Sequence, residues 1–73
     1  MSPFGGNQQV NNQVKDYREK AELTQEELAA QVNLSRQSII AIEKGRFTPS
    51  ILTALSIAKV LNVKVDELFQ LKK

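Results

Sequence analysis

Between Thr24 and Gly45 the chain spells two short helices with only three residues to turn between them. Thr24 opens the first of these, and Glu27 follows three residues later. That spacing is a capping box: the Thr24 hydroxyl accepts from the Glu27 backbone N–H, and the Glu27 carboxylate accepts from the Thr24 backbone N–H. Leu28, Ala29 and Val32 form the apolar face of this helix. Asn33 then interrupts. After glycine, asparagine best tolerates the left-handed backbone that ends helices. Leu34 points back to the core, and Ser35 suits the N-cap of the next helix. That helix runs from Ser35 to Lys44, and Gly45 stands just past its end, the favoured place for glycine. The turn Val32-Asn33-Leu34 forces the two helices to cross steeply. The small side chain of Ala29 lets them approach closely.

The flanks also read as helices. Val10, Val14, Tyr17 and Ala21 recur at spacings of four, three and four, one apolar stripe of a helix starting near Asn11. After Phe47, either Thr48 or Ser50 caps a further helix, with Ile51, Ala54, Leu55, Ala58 and Leu61 along one face. Asn62 is its expected stop. Val65–Leu71 reads as a last short helix anchored by Leu68 and Phe69. No strand-like alternation and no internal repeat is found. Residues 1–10 are Gly-, Asn- and Gln-rich and read as a mobile N-terminal tail, so the domain is expected over residues 11–71.

With 73 residues, the chain makes one small domain. It contains no cysteine and no histidine. Disulfides and thiolate zinc sites are excluded, and the commonest metal ligand and general base are missing. No cofactor motif, metal cluster or small-molecule site is legible, and an enzyme is not expected. No apolar run nears the ~20 residues of a membrane span, and no signal peptide is seen. The expected compartment is the cytoplasm. Net charge is +2. The segment from Leu34 to Ser50 holds Arg36, Lys44 and Arg46 against Glu43 alone, which accounts for the whole excess.

On a wheel of roughly 100° per residue, Ser35, Ser38, Ile39 and Ile42 share one side of the third helix. Arg36, Gln37, Ile40, Ala41 and Lys44 lie within about 140° of arc on the other. That outer side carries the chemistry of base readout. Arginine donates a bidentate pair to guanine O6 and N7, glutamine pairs with adenine N6 and N7, and Ile40 and Ala41 suit a thymine methyl. Lys44 and Arg46, at the far end, suit backbone phosphates, and Ser38 joins them as a phosphate candidate. Gln25 starts the second helix, where unpaired backbone N–H groups favour a phosphate.

These runs together resemble one family. Thr24-Gln25-Glu26-Glu27-Leu28-Ala29, Ser35-Arg36-Gln37-Ser38-Ile39, Ile42-Glu43-Lys44-Gly45 and Pro49-Ser50 before a Leu/Ile-rich helix look like the Cro/CI (Xre) helix-turn-helix family. Its members are phage repressors and small bacterial or archaeal regulators. The likeness runs from about Asn12 to Phe69. It implies an all-α, compact five-helix, lambda-repressor-like DNA-binding domain whose second and third helices form the helix-turn-helix. It implies that Gln25 and Arg46 meet phosphates and that Arg36, Gln37 and Ala41 face bases. It also brings Arg18 and Glu43 together as a structural ion pair. Four positions depart from the family's habit: Asn33 for glycine, Lys64 for a capping serine, Leu52 for a charged residue, and Tyr17 for leucine.

The function so implied is sequence-specific binding of double-stranded DNA by a transcriptional regulator, a repressor acting as a homodimer, with the third helix in the major groove. Phe69 and Leu71 are the expected dimer surface. The alternative is an antitoxin-like interaction module that also binds DNA. Only Leu71-Lys72-Lys73 follows the last helix here, too little to wrap a toxin.

Overall fold

A computed structural model describes residues 10–71. Of the tail expected over residues 1–10, residues 1–9 lie outside them, and Val10 stands in a strand. The described residues form five helices: α1 Val14–Lys20, α2 Gln25–Gln31, α3 Arg36–Glu43, α4 Ile51–Leu61 and α5 Val65–Leu68. Two short strands, β1 Val10–Asn12 and β2 Phe69–Leu71, pair antiparallel and join the two ends of the domain. The register sets Val10 against Leu71 and Asn12 against Phe69.

This ribbon corrects two expectations. The first helix starts at Val14, not near Asn11, and the last ends at Leu68. At the N-terminal side, the Asn12 side chain accepts from the Val14 N–H at 3.2 Å. Asparagine bonding two residues ahead competes with helix and sets its boundary instead. Gln13 N–H donates to the Leu68 carbonyl at 2.9 Å, so the strand-to-helix junction is tied to the end of α5. The inward face of α1 is accordingly Val14, Tyr17 and Arg18, while Ala21 at its end is exposed.

Helix starts follow local chemistry. Thr24 and Glu27 form the expected capping box, with bonds of 3.0 and 2.8 Å. Ser35 Oγ accepts from Ser38 N–H at 3.1 Å. Ser50, rather than Thr48, caps α4 by accepting from Thr53 N–H. Lys64 has no side-chain acceptor to offer. Helix α5 is held there by Glu67, whose carboxylate accepts from the Lys64 N–H at 3.1 Å.

Helix ends repeat one device four times. Glu22, Asn33, Gly45 and Asn62 all adopt positive φ, between 59° and 76°. The residue after each donates back across the last turn: Leu23 to Arg18, Leu34 to Ala29, Arg46 to Ala41 and Val63 to Ala58. This is the Schellman motif, which usually brings an apolar residue back against the helix. Leu23, Leu34 and Val63 do pack on the core. Arg46 stands exposed in the same position.

The core is Val14, Leu28, Ala29, Ile39, Ile42, Ile57, Ala58, Leu61 and Leu68. One expectation fails on α4. Ile51 and Leu55 do not face inward; they are 79% and 50% exposed, and Ile57 is fully buried in their place. Nearly every side of α4 is apolar, so periodicity alone does not choose the face. Packing against α2 and α5 does.

Candidate nucleic-acid interface

Helix α2 packs directly on α3, and α1 also contacts α3. Ile39 and Ile42 are buried in that contact. Burying them turns the opposite side of α3 outward. With Ser35 as cap, Arg36 and Gln37 become the first two helical residues, and both are exposed. Ile40 and Ala41 lie one turn on, half-buried, flanking the same face. Ser38 is half-buried at its margin, its hydroxyl 3.0 Å from that of Ser35. Lys44 and Arg46 project from the far end.

Behind this face lies a polar cluster on Glu43. Arg18 Nε donates to Glu43 Oε2 at 2.7 Å, and Arg18 Nη2 donates to Oε1 at 3.3 Å. Gln25 Nε2 donates to the same Oε1 at 3.1 Å. The remaining Arg18 nitrogen, Nη1, reaches the Leu23 carbonyl at 2.8 Å. The two charged side chains are only 10% and 5% exposed. A planar guanidinium set against a carboxylate this way combines charge with fixed geometry. Hydrogen bonding to Glu43 raises the Arg18 pKa above its ordinary value, against the opposing effect of burial. Arg18 therefore carries its charge throughout the range in which the domain works.

The cluster has an electrostatic consequence. Glu43 is the one acid between Leu34 and Ser50, and it is turned inward and neutralised by Arg18. The exposed charges of that segment are then all positive: Arg36, Lys44 and Arg46. The cluster also engages Gln25, which the sequence assigns to a phosphate. One of its two amide N–H groups donates to Glu43, and the other makes no hydrogen bond among the described residues.

Sequence reasoning missed Asn12. Its Nδ2 donates to the Ile42 carbonyl at 2.9 Å, linking β1 to the last turn of α3. An Asn two residues before a helix is a recognisable local signal, but its partner 30 residues away is not. Among the described residues no group of Asp or Glu is placed to hold a metal, and no helix is long and apolar enough to cross a membrane.

A pair of packed helices whose second member turns Arg36 and Gln37 outward defines a helix-turn-helix DNA-binding protein. A sequence profile described as "Helix-turn-helix" matches residues 14–68. The chain belongs to the Cro/CI-type helix-turn-helix family, and its function is DNA-binding transcription regulation. An uncharacterized HTH-type transcriptional regulator from Methanocaldococcus jannaschii is 48% identical over 60 residues, covering 82% of this chain and 91% of that one. The immunity repressor protein of Bacillus phage phi105 is 37% identical over 57 residues, which cover 78% of this chain and 40% of the phage protein. Among solved structures, the restriction-modification controller protein C.AhdI from Aeromonas hydrophila superposes with a TM-score of 0.69 at 28% identity. That match covers 74% of this chain and 82% of C.AhdI.

Proposed function

We propose that α3 enters the major groove and reads base edges with Arg36 and Gln37, helped by Ile40 and Ala41. The observation that carries this reading is the exposure of Arg36 and Gln37 at the start of a helix whose other side is locked to α1 and α2. Donor patterns on these two side chains match guanine and adenine edges. Lys44 and Arg46 meet the phosphates of the flanking strand, Gln25 uses its spare amide N–H on another, and Ser38 adds a hydroxyl at the groove edge.

The domain represses from the cytoplasm as a homodimer. Likeness to a phage immunity repressor supports the sign. A domain this small makes too few contacts alone for high specific affinity, and two-fold pairing doubles them. Ile51, Leu52 and Leu71 are more than 70% exposed and offer the apolar surface for pairing. Leu71 stays in that surface, whereas Phe69 is half-buried and packs on the core.

Selection from random duplex DNA tests the reading. The expected product is a defined, two-fold symmetric motif with half-sites one helical turn apart. Enrichment without a motif would contradict base reading, and an asymmetric motif would contradict the dimer.

A further inference from the structure

Three aromatic side chains stand among the described residues: Tyr17, Phe47 and Phe69. Tyr17 and Phe69 pack on the core. Phe47 does not, and it is 50% exposed. Its place follows from the end of α3. At three of the four positive-φ helix ends the next residue is apolar and packs on the core. After Gly45 the next residue is Arg46, and the ring comes one position later. The order of the two residues puts the cation, not the ring, where the motif folds back on the helix. The ring is held on both sides. Arg46 N–H donates to the Ala41 carbonyl at 2.9 Å. Two residues beyond Phe47, Pro49 fixes its own φ and confines Thr48 to extended backbone.

We propose that Phe47 packs on a deoxyribose of the DNA strand whose phosphates meet Lys44 and Arg46, which rests on the reading that this end of α3 meets the DNA backbone. A DNA strand alternates anionic phosphates with sugars that present carbon to a ligand. Lys44, Arg46 and Phe47 offer two cations and an apolar ring within four residues, all exposed. Covering the ring against sugar removes its apolar surface from water. The short span between the Arg46 bond and Pro49 leaves little freedom to lose on binding. Charge decides between occupants. A second copy seated on the ring would bring its own Lys44 and Arg46 towards these, like charges at close range, whereas phosphates neutralise them.

Binding of a labelled operator duplex and its single-base variants by wild type, Phe47→Ala, Phe47→Leu and Arg36→Ala, at several salt concentrations, tests the proposal. Phe47→Ala is expected to weaken binding about tenfold on every variant alike. The slope of affinity against salt is expected to stay as in wild type, because an uncharged side chain releases no counterion. Phe47→Leu is expected to recover most of the affinity, and Tm of the free protein to stay unchanged in both. The chain contains no tryptophan, so Phe47→Trp introduces a lone indole, and its quenching by acrylamide is expected to fall on binding DNA. Full affinity in Phe47→Ala would overturn the proposal. So would a loss confined to particular base pairs, or one that follows a lowered Tm. A loss that tracks a weaker dimer of the free protein would give the ring to a second copy. Altered base preference in Arg36→Ala beside full affinity in Phe47→Ala would overturn this proposal alone and leave the reading of α3 standing.

Discussion

Glu43 and Arg36 sit on the same eight-residue helix and are treated in opposite ways. Glu43 accepts three hydrogen bonds and is nearly sealed from solvent. Arg36, like Gln37, is exposed and makes no side-chain hydrogen bond among the described residues. The inner side of α3 fixes where the helix lies; the outer side is left free to meet a ligand. A side chain that reads bases must arrive in a fixed frame yet keep its own donors unspent. The residues that supply the frame, Arg18, Glu43 and Asn12, are buried or half-buried.

The largest expected effect lies in the frame. Arg18→Ala leaves a nearly buried carboxylate with Gln25 as its remaining partner and strips a donor from the Leu23 carbonyl. Loss of one member of a buried pair costs about 3–5 kcal/mol, against under about 1 kcal/mol for an exposed pair. Denaturant unfolding of Arg18→Ala, Glu43→Ala and the double variant measures it. A cycle with no coupling energy would mean that Arg18 and Glu43 act separately and would break the contrast.

A smaller effect is expected at the turn that sets the angle between α2 and α3. Asn33 has φ 59°. Asn33→Val places a β-branched side chain in that region and is expected to cost about 1 kcal/mol or more, whereas Asn33→Gly is neutral or slightly stabilising. Equal melting temperatures for wild type and Asn33→Val would contradict this role.

The smallest change in stability is expected on the outer side. Arg36→Ala and Gln37→Ala remove exposed atoms without a cap, cavity or buried partner, so unfolding should move by no more than about 0.5 kcal/mol. A larger loss would show that these side chains support the fold and are not held in reserve.

The same contrast separates what was legible in the sequence. The four helix starts and stops around α2 and α3 depend on residues within a few positions of one another. Thr24 with Glu27, Asn33, Ser35 and Gly45 therefore announce themselves. The β-ribbon does not: Val10 and Leu71 meet across the whole domain, and three-residue strands leave no pattern of alternation. The face of α4 is not legible in the sequence, because Ile51 and Leu55 are as apolar as Ile57 and only packing distinguishes them. At the site, Arg36, Gln37, Lys44 and Arg46 could be named because wheel position and side-chain chemistry suffice. The bond from Gln25 to Glu43 and the reach of Asn12 to Ile42 could not, because both depend on which elements the fold brings together.

The central claim is that α3 reads sequence while the loop after it only holds the backbone. Binding of wild type, Arg36→Ala, Gln37→Ala and Arg46→Ala to a set of single-base operator variants, at several salt concentrations, tests it most directly. Arg36→Ala and Gln37→Ala are expected to cost about 1–3 kcal/mol on the best operator and to relax preference at particular base pairs. Arg46→Ala is expected to weaken all sequences alike and to lower the salt slope by about 1. If Arg36→Ala and Gln37→Ala leave base preferences untouched while Arg46→Ala changes them, α3 is not the recognition helix.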